Sequence, residues 1–581
     1  MWQTEKINYT HMKQLLLFFA FISFSAVAMS QSKYVGKEKV IDPFSYRITK
    51  TGTYQNAAVA TAHPLASEVG VQVLKRGGNA FDAAIAVQFA LAVVYPQAGN
   101  IGGGGFLMAR TAAGKQVAID YRETAPAKAY RDMYLDKDGK PVEGLSVNGH
   151  LASGVPGTVA GLAATAAYGR LPWKDLVDPA ISLAQYGFAI TKEEAANLNA
   201  IKQDLLKYNT MPTAFTKDRK WMEGDVLIQA ELAETLKRIR DHGAKGFYEG
   251  KTARLLTEEM QRGGGIISAE DLKAYKAKHR KPVVFSYRGY EVISFPAPSS
   301  GGILLGQMLK MAEPFPLQSY GHNSAKAVHL LAEIERRAYA DRAEYMGDPD
   351  FYKVPEKELL SAKYLTGRMK TFDSRKASVS KEMQHGNVYE SDQTTHLSIA
   401  DKAGNMVAVT TTLNTSYGSK VVVGGAGFFT NNEMDDLSIK PGVPNVYGAV
   451  GREANAIAPG KRMLSSMTPT LVLKNKKPFM VVGTPGGTTI PTSVLQSIVN
   501  VIDFRMLPRE AIDAPKFHHQ WLPDRIDVEK SFPKFVVSEL EKKGHTVNQR
   551  GQIGRVEMIL FEKRGLNTAA DSRGDDSVAG Y

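Results

Sequence analysis

The stretch NAFDAAIAVQFALAVV (79–94) limits the possible folds more than any other part of this 581-residue chain. It is long enough for four helical turns, opens on Asn79 as a capping residue, and is apolar nearly all round. A helix without a polar stripe has to be covered on every side, so it belongs between the layers of a large core. The preceding HPLASEVGVQVLKRGG (63–78) reads as a second helix, stopped by Gly77-Gly78. GGGGFLMAR and KQVAIDYRETAP then read as a hairpin of two strands with AAG at its turn.

From Leu151 to about Lys370 the periodicity is mostly helical, with TVAGLAATAAYG and AKAVHLLAEIERRAYADRAEYM as candidate helices, broken at GVPG, RGGG and PAPSSGG. Residues 372–392 are polar and read as an exposed, mobile linker. Beyond it the pattern changes to short strands: THLSIAD, NMVAVTTTLN, PTLVLKN and PFMVVGTPGG describe an antiparallel sheet. The helices TSVLQSIVNVIDF and FVVSELEKKG follow. With strands towards both ends and helices between, the chain is expected to form one layered sandwich of helices and sheets, built from segments far apart in sequence.

Several function classes are excluded early. Met12-Lys13 precedes the apolar run QLLLFFAFISFSAVA, which ends in the small-x-small triplet Ala26-Val27-Ala28. That is the form of a cleaved signal peptide over 1–28, with Met12 as an alternative start, and the run is shorter than the roughly 20 residues a membrane span needs. No membrane anchor is expected after its removal, and a periplasmic or secreted location follows. The absence of cysteine rules out a disulfide framework and a lipoprotein anchor. The net charge of +13 is spread along the chain; its densest cluster, KNKKP from Lys474, reads as a turn, and no nucleic-acid partner is assigned.

SDQTTHLSIA (391–400) begins a strand on Thr-Thr-His. Threonine is an ordinary strand former, but its hydroxyl is also a nucleophile once a base lies beside it. His396 shares a strand face with Thr394 and is one candidate base, although no G-x-S-x-G elbow accompanies it. The other candidate arises if the chain is cut between Gln393 and Thr394. The freed α-amine, with a reference pKa of about 7.7–8.0, then serves as base for its own side chain.

GGNAFDAAIAV, YPQAGNIGGGGF, AIDYRETAPAKA, ASGVPGTVAG, PAPSSGG, YADRAEYMGDPDF, QTTHLSIAD, TLNTSYG, NNEMDD, KPGVPNVYG, KRMLSSMTPT, GTPGG and FHHQWLPD occur in that order. Together they resemble the γ-glutamyltransferases (γ-glutamyltranspeptidases), of the N-terminal-nucleophile hydrolase superfamily, over essentially all of the chain after the signal peptide. The resemblance implies an α+β fold, a four-layer αββα sandwich built from two subunits after self-cleavage. These are 29–393, ending in the exposed linker at about 372–393, and a catalytic subunit 394–581. The two stay together as a heterodimer.

It further implies that Thr394 carries the γ-glutamyl group of glutathione or a related compound as an ester and passes it to water, an amino acid or a dipeptide. By the same resemblance Arg122, Ser465 and Ser466 hold the α-carboxylate of the glutamyl group, and Glu433 and Asp436 its α-amine. Gly486 and Gly487 supply the oxyanion hole, and Thr412 and Asn414 hydrogen-bond around the nucleophile. Tyr447 is the tip of a lid loop, and Thr395 belongs to the motif without a fixed role. Leu397 stands where the family often has an aromatic residue, and position 433 accepts glutamine or glutamate. No cofactor and no metal are implied. Gly102–Gly105 lack the Lys-Ser/Thr of a phosphate loop and are read as close packing. His518 and His519 have no third ligand at metal spacing and are read as a packed pair. Two rivals remain: a glutaryl or cephalosporin acylase of the same fold, and a non-catalytic exported protein that binds anionic surfaces through its charge.

Overall fold

A computed structural model of the chain describes residues 41–383, 394–443, 445 and 451–581. The signal peptide, Gln393 and Tyr447 therefore lie outside the described residues. Fourteen strands form two seven-stranded sheets. In chain order they are β1 Thr51–Tyr54, β2 Ala57–Thr61, β3 Gly104–Arg110, β4 Gln116–Asp120, β5 Lys278–Arg280, β6 Val283–Tyr287, β7 Tyr290–Ser294, β8 Thr395–Asp401, β9 Met406–Thr412, β10 Thr470–Lys474, β11 Lys477–Gly483, β12 Glu557–Glu562, β13 Gly565–Ala570 and β14 Ser577–Gly580. One sheet runs β14-β2-β8-β9-β3-β4-β5 and the other β1-β13-β12-β11-β10-β7-β6. The strand set expected to form one sheet is thus divided: β8 and β9 lie in the first and β10 and β11 in the second. Strand patterning reports that a segment is extended and buried, and it is silent on which neighbour it pairs with.

The principal helices are α1 Pro64–Lys75, α2 Ala80–Val94, α3 Trp173–Tyr186, α4 Ala230–His242, α5 Gly301–Ala312, α6 Ala325–Tyr345 and α7 Ile490–Ile502. α1 to α4 join one core with the outer face of the first sheet, through Val59, Leu107, Leu397, Ile399 and Val409. The opposite face of that sheet, with Ala58, Phe106, Met108 and Ala400, packs into a second core with the other sheet and α5, α6 and α7. Phe106 and Phe295 meet at 4.3 Å between ring centroids in this second core. The result is the expected αββα sandwich.

Every residue of α2 is buried, as its unbroken apolar character requires. Asn79 caps it through Phe81 and Asp82, and Asp82 returns a bond to the Asn79 amide. Asp82 also accepts from the amides of Arg170 and Leu171, at 2.9 and 3.2 Å. Asp401, at the end of β8, accepts from the Ala80 amide at 3.0 Å and so ties the central strand to the start of the helix. The KNKKP cluster forms the β10–β11 turn, with positive φ at Asn475 and Lys476. The glycine run at 102–105 packs against backbone: a Cβ on Gly103 would lie 2.1 Å from the Thr412 carbonyl.

The region read as an exposed, mobile linker is exposed at 373–376 and 379, yet its described part is tied to the body of the protein at several points. Arg337 donates to Thr371 and Ser378, the Ala377 amide to the Lys543 carbonyl, and the Ser380 amide to Asp524 at 2.7 Å. Ser380 is buried and also takes bonds from Arg336 and, at its carbonyl, from the Trp521 indole. A serine- and lysine-rich composition predicts solvation only where no buried partners wait for it; here helix α6 and the 519–524 segment supply them.

Replacing Asp82 by alanine removes the acceptor of three backbone amides. A loss of about 2–4 kcal/mol is expected in urea unfolding, against less than about 0.5 kcal/mol for an exposed control such as Asp138→Ala.

Candidate active site

Thr394 stands immediately before β8. In the β8–β9 hairpin Thr395 pairs with Thr411, so the next position outward sets Thr394 opposite Thr412. Their hydroxyl oxygens are 3.5 Å apart, with Thr394 donating. The Thr412 hydroxyl also accepts from the Asn414 amide at 2.8 Å, and the Asn100 side chain holds the Thr412 carbonyl at 2.9 Å. Asn414 has a positive φ of 79° and donates its side-chain amide to the Asn432 carbonyl.

His396 does share the Thr394 face, but its two ring nitrogens are taken by Thr410 at 2.9 Å and Ser398 at 3.1 Å. Burial pushes its pKa down to about 3, so the ring stays neutral. It sits under Gly483, where a Cβ would strike the ring, and acts as a packing and hydrogen-bonding residue. Thr395 faces the opposite way, fully buried.

Arg122 follows β4 and is fixed by its own strand end: Asp120 accepts from its amide at 3.0 Å, while Tyr275 donates to its carbonyl at 2.7 Å. Asp120 is in turn held by Arg280 and Arg462. The Arg122 guanidinium, 1% exposed, lies 2.5 Å from Glu433 and 2.5 Å from Asp436, and its Nε donates to the Met463 carbonyl. Both acids belong to one 3-10 turn, Glu433–Asp436. Burial raises the carboxyl pKa values of Glu433 and Asp436 against the pull of Arg122, and pushes Glu123, 3.5 Å from the same guanidinium, up to about 8. One arginine thus serves two buried acids, Glu123 and Glu433, and the partly buried Asp436.

Arg122, Thr394, Thr412, Asn414, Asp436, Ser465, Ser466 and Gly487 line one cavity. Glu433 is fully buried one layer back and reaches the cavity through Arg122; the acidic run alone could not rank the depths of its members. Gly486 and Gly487 form the turn between β11 and α7, with φ of 138° and 54°, where a side chain would be strained. The N-terminus of α7, the positive end of its dipole, therefore opens beside Thr394. Asn445, from the KPGVPNVYG loop, donates to Asp436 at 2.9 Å.

Five wall residues were not singled out from sequence: Arg342, Asn445, Met467, Thr488 and Ile490. Arg342 lies on α6 inside the quoted YADRAEYMGDPDF, whose charges read as a solvated face; the burial of that face follows from tertiary packing.

His518 is hydrogen-bonded to Thr492 and Gln520, and His519 accepts from the Trp521 amide, as a packed pair would be. His329, Glu333 and His545 cluster closely enough to share a cation. However, the Glu333 carboxylate is engaged by Arg337 at 2.6 Å and by the Ser378 amide at 3.0 Å, with Arg336 alongside, so its donor set already balances protein charge.

A four-layer sandwich with a threonine at the head of a central strand, lining one cavity with its polar partners, is the arrangement of an N-terminal-nucleophile hydrolase. The chain belongs to the γ-glutamyltranspeptidase family, whose model matches residues 66–581. It is 49% identical over 530 residues to the glutathione hydrolase proenzyme of Escherichia coli, covering 90% of this chain and 91% of that protein. Among solved structures, the γ-glutamyltranspeptidase of Helicobacter pylori is 46% identical with a TM-score of 0.55, covering 58% of this chain and 97% of that one. A cephalosporin acylase from Bacillus halodurans is 27% identical with a TM-score of 0.80, covering 94% and 99%.

The neutral His396 ring makes stability fall with acid. Its unfolded pKa near 6.5 exceeds the folded value of about 3, so the contribution is complete above pH 6.5 and is lost as the pH falls towards 3. In urea unfolding, His396→Gln is expected to have a shallower decline than the wild type between pH 6 and pH 4, by up to about 1.4 kcal/mol per pH unit. Equal slopes would mean that the folded ring is charged.

Proposed function

We propose that the protein is an exported, self-processing γ-glutamyl hydrolase and transpeptidase. The observation that carries this reading is the composition of one cavity wall: a threonine hydroxyl at a strand head shares it with a guanidinium, two serines and Asp436. That set complements an amino-acid head group, whose carboxylate suits Arg122, Ser465 and Ser466 and whose ammonium suits Asp436, with Glu433 behind it. The 49% identity to a protein named glutathione hydrolase proenzyme supports glutathione as a substrate and a precursor form. A signal peptide at 1–28 would direct the protein to the periplasm or beyond. Among the described residues no helix is long and apolar enough to cross a membrane.

In the first step the Thr394 hydroxyl adds to the Gln393 carbonyl, the peptide C–N bond breaks, and water hydrolyses the resulting ester. This leaves chains 29–393 and 394–581. The freed amine of Thr394 then takes the proton of its own hydroxyl as that oxygen attacks the γ-carbonyl of the substrate. The oxyanion is held by backbone N–H groups at Gly486 and Gly487, beside the start of α7. The proton passes to the leaving amine, the γ-glutamyl ester remains on Thr394, and water, an amino acid or a dipeptide resolves it. Thr412 holds the nucleophile's orientation and Asn414 borders the glutamyl group; Tyr447, assigned to a lid loop by resemblance alone, lies outside the described residues.

The acylase reading has the structural likeness to a cephalosporin acylase in its favour. A glutaryl group lacks the amine, however, and would offer Asp436, already paired with Arg122, no ammonium to meet. γ-Glutamyl anilide is therefore expected to be turned over at least about 100-fold faster than glutaryl anilide, the discrimination a lost charged contact allows. Equal rates would overturn the assignment of Asp436.

Thr394→Ala is expected to remain a single chain by intact mass spectrometry and to be inactive. A variant that still separates into two chains at this bond would refute the self-cleavage step. Arg122→Lys should process normally and raise KM for the γ-glutamyl donor by about 10–100-fold, since lysine cannot present the bidentate fork.

A further inference from the structure

Arg342 lies on the wall of the active-site cavity, and no role in the reaction has been given to it above. It projects from α6, is 6% exposed, and differs from Arg122 in its company. Arg122 is paired with carboxylates, whereas the Arg342 guanidinium donates to two neutral hydroxyls. Its Nε donates to Ser300 Oγ at 3.1 Å and a terminal nitrogen donates to Ser466 Oγ at 3.1 Å. Ser300 in turn donates to the Ser465 carbonyl at 2.9 Å, so one guanidinium is tied to both serines of the LSS segment.

A serine hydroxyl has one proton and an oxygen that accepts. Arg342 donates into the oxygen of Ser466, and the Met467 amide donates into that of Ser465 at 3.1 Å. Each serine therefore keeps its proton for a group on the cavity side. Two hydroxyl donors backed by a buried cation form a receptor for an anion, and burial disfavours the charge of Arg342, which the nearby Asp436 offsets only in part.

We propose that Arg342 is a positioning residue for the substrate's α-carboxylate, orienting the Ser466 hydroxyl as a donor and supplying the positive charge behind the serine pair. The inference rests on the γ-glutamyl reading above. It predicts that selectivity for donors carrying an α-carboxylate depends on α6 as well as on Arg122.

The test compares two donors, γ-glutamyl anilide and 4-aminobutyryl anilide, which keeps the amine and lacks the carboxylate. In Arg342→Gln the kcat/KM for γ-glutamyl anilide should fall at least about tenfold, through KM with kcat changed less than about twofold, while that for 4-aminobutyryl anilide changes less than about twofold. Arg342→Lys should recover part of the loss. Ser466→Ala should show the same selective loss, and the double variant should be little worse than either single one. Equal losses for both donors in Arg342→Gln would assign Arg342 a merely structural part and overturn the proposal. If that variant does not process, Ser466→Ala decides by the same criterion. Arg122→Lys is the reference: if it loses selectivity and Arg342→Gln does not, this inference alone fails. If neither loses it, the placement of the carboxylate fails as well.

Discussion

The site depends first on the pairing of the β8 strand. Thr395–Asp401 lies in the middle of its sheet, bonded to β2 on one side and to β9 on the other. Leu397 and Ile399 face the helices, and His396, Ser398 and Ala400 face the second sheet. A slip of one residue would exchange these faces and put His396 and Ser398 into the apolar helix side, so the register is strongly fixed. That register carries Thr394 to a single place, opposite Thr412 and at the mouth between the sheets. Asp401 at the other end anchors the same strand to the N-terminus of α2.

Around this fixed hydroxyl the protein gathers charge from distant parts of the chain. Arg122 comes from the end of β4, Asp436 from a loop after β9, the serines from before β10, and Arg342 from α6. Neighbours hold these groups in place: Asp120 and Tyr275 for Arg122, Asn445 and Asn455 for Asp436, Met467 and Ser300 for the serine segment. Such a site is built before substrate arrives, and the cost of holding like charges together, which burial increases, is offset by Arg122 and by the surrounding sandwich.

Much of this was legible in the residues. The all-apolar α2 required cover on both sides, the hairpin after it followed from alternation, and TTH at the head of a strand posed the question of a nucleophile. The resemblance to γ-glutamyltransferases then assigned roles to most of the wall. What stayed hidden depended on tertiary placement. The split of β8–β9 from β10–β11 is decided by pairing partners far away in sequence. Glu433 and Asp436 look equivalent in NNEMDD, yet only Asp436 reaches the cavity wall. The polar tail at 372–383 looked free because the arginines that hold it lie in α6. Arg342 was masked by the same helix, whose pattern of charges reads as a solvated face until its neighbours are known.

The central claim is that Thr394, at the start of its own chain, carries the acyl group. Its most direct test is acid quenching of the processed protein during turnover of a γ-glutamyl donor, followed by peptide mapping of the smaller chain. The account predicts a mass increase of one γ-glutamyl group on the N-terminal peptide beginning at Thr394, labile to base as an ester is. Acylation located at any other residue, or turnover with no acyl group on that peptide under conditions that slow its release, would contradict it.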